Sequence, residues 1–340
     1  MTRGTKRAAV AGAGAFLLLG IVAIAQAPPP AAPSGPGRIV QFDPALEKIV
    51  STTATIEKVV GGLGFTEGPV WSSRDKALFF SDIPGNAIHK LQNGQDSIFR
   101  GEIFKGSGYP PSFNVGPNGL TFDKEGRLIV CEHSNRQIER LEKNGTWTVI
   151  ADKYEGKRLN SPNDAVVKSD GAIYFTDPPY GLAKGDADPA KELSFDGVFR
   201  LKDGALTLLA TPELTKPNGL AFSPDEKSLY VGNSDAQKRI WMRYEVKADG
   251  TLGAGNVHYD LAGEQARGIP DGFKVDAAGN LMGSGPGGVW VISPAGKLLG
   301  RIETPETPAN LAFGEDGRTL FITARTSVYK VRLTGRGRVP

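Results

Sequence analysis

One cysteine, Cys131, stands in 340 residues, so no internal disulfide can form and the fold must be held by its core alone. Cys131 sits in the apolar run LIVCEH, where strand packing is the expected role. No G-x-S-x-G run occurs, which removes the nucleophile elbow of serine hydrolases. A charge of one sign is also missing. Lys and Arg number 40 against 37 Asp and Glu, and without the N-terminal Arg3, Lys6 and Arg7 the two balance. That leaves no electrostatic footprint for nucleic acid. Disorder is excluded by 39% hydrophobic and 23% charged residues. What the chain has in quantity is glycine (44) and proline (24). They follow no collagen-like period and read as punctuation between many short strands, which favours an all-β architecture.

The N-terminus has its own logic. Arg3, Lys6 and Arg7 precede an apolar run from Ala8 to Ala25, and Ala25-Gln26-Ala27 reads as a small-residue cleavage site. Residues 1–27 are expected to be a signal peptide, with an uncleaved anchor as the alternative, because about 18 apolar residues nearly span a bilayer. Either way the domain is expected to be exported, to the periplasm or the exterior, with no membrane association after cleavage. Residues 28–37, PPPAAPSGPG, form a stiff extended spacer. Residues 38–340 then make a single domain.

Within it one pattern returns six times: TEGPVWSSRDKALFFSD, PNGLTFDKEGRLIVCEH, PNDAVVKSDGAIYFTD, PNGLAFSPDEKSLYVGN, PDGFKVDAAGNLMGSG and PANLAFGEDGRTLFITA. Each is a strand, a tight turn and a second strand, and turns such as Glu125-Gly126, Asp170-Gly171, Ala278-Gly279 and Asp316-Gly317 supply the positive φ required. Two further β-rich runs follow most pairs, for example QIERLEK then WTVIAD. Units of four strands at intervals of roughly 38 to 55 residues predict a six-bladed β-propeller of antiparallel four-stranded blades. The last unit ends after three strands, and ATIEKVV (residues 54–60) precedes the first with no blade of its own. That segment is expected to complete the last blade and close the ring. Asp43-Pro44 reads as the cap and first residue of a short helix over residues 45–50.

In a propeller the first strand of every blade lines the axis, so the residues opening those strands converge. They are Glu67, Asn118, Asn163, Asn218, Asp271 and Ala309. Five are oxygen donors and two of these are carboxylates, which predicts a hard-oxygen site suited to Ca²⁺ at roughly 2.3–2.6 Å. No histidine or cysteine recurs there, which argues against zinc or copper. Pro-Asn-Gly is also ordinary turn chemistry, which accounts for Gly119 and Gly219 but not for Glu67 or Asp271. Second strands return to the same face, and their ends carry Asp82, His133, Asp177, Asn233 and Arg325. Arg158, the loop 101–117 and the long insertion 178–197 open there too, with Tyr180 as a pocket contact. His133 could act as a base because imidazole titrates near neutrality. The other reading makes it a polar residue that supports the site.

The segments FTEGPVW around Glu67, SPND around Asn163, KPNGLAFSPDEKSLYV around Asn218 and PDGFKVDAAGNL around Asp271 resemble the SMP-30/gluconolactonase/LRE family of calcium-dependent six-bladed propellers, over roughly residues 40–333. The resemblance implies that Glu67, Asn163, Asn218 and Asp271 hold the metal and that Asp271 also serves as base or nucleophile. It places Asn118 in the pocket and makes Arg158 the candidate substrate arginine; Tyr180 and Arg325, read from their place on the same face, are the other candidate substrate contacts. The expected activity is metal-dependent hydrolysis of a small lactone, sugar lactone to aldonic acid. Alternatives are a phosphotriesterase-like hydrolase on the same metal, or an exported propeller that binds a ligand without turnover. Which ion serves in the cell, Ca²⁺, Mg²⁺, Mn²⁺ or Zn²⁺, is left open.

Overall fold

The computed structural model describes residues 1–2, 37–110, 113–209 and 211–339. Most of the expected signal segment and spacer lies outside these residues. Among those described, no helix is long and apolar enough to cross a membrane.

Two strands precede the repeats, β1 (Arg38–Gln41) and β2 (Ile56–Val60). The first sheet is β3 (Thr66–Ser72), β4 (Ala77–Asp82), β5 (Ala87–Gln92) and β6 (Gln95–Arg100); the second is β7 (Pro117–Phe122), β8 (Leu128–Glu132), β9 (Gln137–Leu141) and β10 (Trp147–Ala151). A small hairpin, β11 (Lys153–Tyr154) and β12 (Lys157–Arg158), leads to the third sheet, β13 (Ala165–Val167), β14 (Ile173–Asp177), β15 (Gly197–Lys202) and β16 (Ala205–Leu209). The fourth is β17 (Pro217–Phe222), β18 (Ser228–Asn233), β19 (Ile240–Val246) and β20 (Leu252–Asp260). The fifth contains β21 (Phe273–Val275), β22 (Leu281–Gly285), β23 (Gly288–Ile292) and β24 (Leu298–Glu303), and the sixth β25 (Pro308–Gly314), β26 (Thr319–Ala324) and β27 (Ser327–Arg332).

Each sheet runs antiparallel in sequence order, and the first strands touch in ring order: β3 against β7, β7 against β13, β13 against β17, β17 against β21, β21 against β25, and β25 back against β3. This is the expected six-bladed propeller. Burial falls outward along a blade: every residue of β3 is buried, whereas β6 is exposed along nearly its whole length. Strands near the axis are covered on both faces by neighbouring blades, so their sequences lose the alternation of a half-buried strand. The predicted turn glycines adopt positive φ, for example 73° at Gly126 and 88° at Gly279.

The ends of the chain meet as the repeat count requires. β2 pairs antiparallel with β27, Ile56 opposite Val331, and completes the sixth blade. β1 adds a fifth strand to the fifth blade, Arg38 opposite Glu303, which four residues beside a Pro-rich spacer gave no reason to expect. Between them the Asp43 carboxylate accepts the Ala45 amide at 2.8 Å, as a cap should. The expected helix is a 3-10 turn over Pro44–Lys48. It drops Leu46 into the core between the fifth and sixth blades, with Met282, Val291, Leu311 and Ile322.

With no disulfide, apolar seams between blades hold the ring. Trp241 and Trp290, both fully buried, pack between blades four and five with centroids 6.5 Å apart, and Phe79 meets Phe122 edge-on between blades one and two at 5.9 Å. Each such side chain contributes about 1.5–3 kcal/mol of burial. Cys131 is buried against Ile129, Ile138, Phe175 and Phe199, and burial pushes its thiol well above the usual range. It is a packing residue, as its run suggested.

Candidate active site at the propeller axis

The opening residues converge. Glu67, Asn118, Asn163 and Asn218 are buried, and Asp271 keeps partial contact with solvent. The first strands approach so closely that main-chain groups bond across blades: Gly119 N–H donates to the Asn163 carbonyl at 2.7 Å and Gly272 N–H to that of Ala309 at 2.8 Å. A side chain on Gly68, at φ 53°, would place its Cβ 1.9 Å from the Asn118 carbonyl oxygen. On Gly272 the same atom would lie 1.8 Å from Asn310 Cγ. These glycines are therefore required by close approach as much as by turn geometry.

The sixth opening residue was expected to bring no side-chain oxygen. Ala309 offers no side-chain donor, and the blade contributes Asn310 instead, with Asp164 entering from blade three. Asn310 Nδ2 donates to Glu67 Oε2 at 3.0 Å and to Asp164 Oδ2 at 3.3 Å. Both stand where four other blades carry glycine, directly after the opening residue. Most first strands have a register irregularity there, for example between Pro217 and Leu220 and between Pro308 and Asn310. Such a bulge turns two successive residues toward the axis.

Amide orientation decides what this cluster can bind. Asn118 Nδ2 donates to His133 Nε2 at 2.8 Å, and Asn163 Nδ2 lies 3.5 Å from the same nitrogen. Asn218 Nδ2 points at Ser234 Oγ, 3.4 Å away, and Asn218 also donates to Asp271. The three N–H₂ groups are thus turned to protein acceptors, leaving three carbonyl oxygens for another partner. His133 is fully enclosed, with its Nδ1 toward the Asn114 carbonyl but without a well-aligned bond, and burial lowers its pKa to about 4. The Nε2 of this imidazole thus faces the amides of both Asn118 and Asn163.

The carboxylates carry the opposite strain. Burial, then Asp271 and Asp164, push Glu67 well above the ordinary range; burial and Asp164 raise Asp271 to about 7. Asp164 is raised by burial and partly relieved by Lys274. Among the described residues no group of three or more His, Cys, Asp or Glu is arranged as a metal site, because half of this donor set is amide. Hard oxygens around unbalanced buried negative charge nevertheless suit a divalent cation of the Ca²⁺ type.

The second-strand ends divide into two groups. Asp82 accepts the Gly64 and Phe65 amides at 3.1–3.2 Å, Asp177 those of Asn160 and Ser161 at 2.7 and 2.8 Å, and Asn233 Oδ1 those of Thr215 and Lys216 at 2.9 and 2.7 Å. In each blade these amides lie two and three residues before Glu67, Asn163 or Asn218. Asp82, Asp177 and Asn233 are therefore staples that fix the segment delivering the axial residue. Arg325 differs: it is exposed in a left-handed turn, φ 47°, and its carbonyl accepts the Thr66 amide at 2.6 Å.

The insertion 178–197 joins β14 to β15, and the Tyr180 hydroxyl bonds to Ser234 Oγ, which places it beside Asn218. Tyr109 in the loop 101–117 reaches across to the Gly181 carbonyl at 3.2 Å and stacks on Phe113. Arg158 on β12 is exposed and donates to the Asn135 carbonyl at 2.9 Å. Ser234 had no sequence signal beyond following Asn233.

A closed six-bladed ring with a buried cluster of carboxylates and amides where its first strands open defines a propeller with a polar axial site. The chain belongs to the SMP-30/gluconolactonase/LRE-like family, whose profile matches residues 65–326. It is 39% identical over 313 residues to a gluconolactonase of Zymomonas mobilis, covering 87% of this chain and 86% of that one. The solved gluconolactonase of Xanthomonas campestris superposes with a TM-score of 0.76 at 34% identity, covering 89% of this chain and 96% of the other. A diisopropyl-fluorophosphatase of Loligo vulgaris is 23% identical over 215 residues, covering 61% of this chain and 68% of that one.

Proposed function

We propose that this protein hydrolyses a small sugar lactone of the gluconolactone type to the open acid. The observation that carries the reading is the axial cluster of Glu67, Asn163, Asn218 and Asp271, in a chain similar to a gluconolactonase along 87% of its length. Glu67, Asn163, Asn218 and Asp271 would hold a divalent cation, Ca²⁺ by donor chemistry, and the cation would supply Lewis-acid polarisation of the ester carbonyl.

The chain's own residues do the rest. Asp271 is the least enclosed of the axial acidic residues, and its carboxylate is the candidate base. It takes a proton from water as the water oxygen bonds to the carbonyl carbon. The ring C–O bond then breaks, and the departing oxygen receives a proton to give hydroxyl and carboxylic acid. Direct attack by the Asp271 carboxylate is the second route. His133 stays neutral and holds Asn118 and Asn163. Asn118 and Tyr180 at the mouth, with the exposed cations Arg158 and Arg325, would orient substrate hydroxyls. The test is a metal-stripped, then resupplied, assay on sugar lactones, acyl lactones and phosphotriesters. Sugar-lactone turnover that vanishes with chelation and returns with Ca²⁺ is expected. Turnover confined to phosphotriesters, or unaffected by chelation, would overturn the reading.

A pH dependence follows from the same charges. With folded pKa values raised above ordinary ones, Glu67 and Asp271 cost the metal-free protein stability as pH climbs from about 4 to above 7. A cation must displace their protons at low pH and cancels the cost at high pH. The gain in melting temperature on adding Ca²⁺ should therefore be small near pH 5 and grow toward about pH 8. A gain that shrinks with rising pH in thermal melts would contradict this.

A further inference from the structure

Lys274 brings a cationic side chain to the axial cluster. It lies three residues beyond Asp271 on β21, and its Nζ donates to Asn310 Oδ1 at 3.2 Å and to the Phe273 carbonyl at 3.1 Å. Asn310 Oδ1 also accepts the Leu311 amide at 2.8 Å, while its Nδ2 faces Glu67 and Asp164. The orientation of this amide is chemically unambiguous: oxygen toward the ammonium, nitrogen toward two carboxylates. Asn310 thus relays the Lys274 charge to the acidic side of the channel.

The charges can be counted. Glu67, Asp164 and Asp271 repel one another, and Lys274 acts attractively on Asp164. Three ionised carboxylates with one ammonium leave a formal charge of −2. Without Lys274 the same cluster would carry −3, and without Asp164 it would carry −1.

We propose that Lys274, acting through Asn310, sets the ionic charge that the axial site accepts, matching it to a divalent rather than a trivalent cation. Lys274 is a positioning and charge-setting residue, and the assignment rests on the reading that the axial oxygens hold a cation. Coulombic attraction scales with the ion's charge, so a change of one unit in the site acts more strongly on a trivalent ion than on a divalent ion of similar size.

The experiment compares the full chain with the Lys274→Met, Asp164→Asn and double variants, titrating each with Ca²⁺ and Tb³⁺ by calorimetry. The ratio of Tb³⁺ to Ca²⁺ affinity should rise roughly tenfold or more in Lys274→Met, fall comparably in Asp164→Asn, and return near native in the double variant. A role in packing alone would weaken both ions together; an unchanged ratio in the folded variants overturns the proposal. Should Lys274→Met not fold, Asp164→Asn and the double variant carry the same comparison. A native chain that binds neither ion overturns the cation reading itself, which separates the two failures.

Discussion

Replacing Asp271 by Asn is expected to reduce lactone hydrolysis at least about a thousandfold in kcat/KM, while the metal-free protein becomes more stable near neutral pH. The two effects have one cause. Asp271 is pushed up to about 7 by burial and by the neighbouring Asp164 charge, so its ionised form is a cost to the metal-free fold, while turnover needs the carboxylate. Asparagine keeps the shape, removes one charge from the cluster and relieves Glu67, whose pKa Asp271 also raises. A gain of about 2 °C or more in metal-free melting temperature at roughly pH 8 should accompany the loss of turnover. A structural residue would lose both stability and activity, so the opposed signs are diagnostic. Activity within tenfold of native would remove Asp271 from the chemistry.

The ring and its mouth were legible because both are written in short-range chemistry. Pro-Asn-Gly or Pro-Asp-Gly opens three blades and Glu-Gly, Pro-Asn-Asp or Pro-Ala-Asn the others, each followed by a tight turn and an apolar strand, and convergence of the opening residues follows from topology alone. ATIEKVV was assigned by counting strands, and β2 occupies that place. Asn310 was less visible because a period-two reading assigns successive residues to opposite faces, whereas its strand breaks register between Pro308 and Asn310; Asp164 lies just before β13, outside the strand pattern. The signal was present: both replace a glycine found in four other blades. His133 illustrates a different limit. Its position at the end of a second strand was readable, but its engagement depends on which way two asparagine amides turn, and that is decided only by packing. Asp82, Asp177 and Asn233 were placed on the correct face but turn back to main-chain amides, because the segments entering the blades need acceptors when buried.

The second large effect is expected from a methyl group. Gly272→Ala would place Cβ 1.8 Å from Asn310 Cγ and 2.1 Å from its Oδ1, in a channel where that amide is tied to Glu67, Asp164, Lys274 and Leu311. Asn310 cannot yield without breaking several bonds at once, and the first strands cannot part without opening the ring. A cost of about 1–3 kcal/mol or more is expected, read as a fall of roughly 2–5 °C in melting temperature. Ca²⁺ affinity should fall at least about tenfold, because Glu67 loses the donor that aims its carboxylate. Adding Asn310→Ala removes the clashing atoms, so the double variant should recover most of the melting temperature and little of the affinity. That split distinguishes a packing defect from a lost orienting bond. A Gly272→Ala protein melting within about a degree of native would mean that the channel is looser than these contacts require, and the close approach of β21 and β25 could not then be what aligns the axial oxygens.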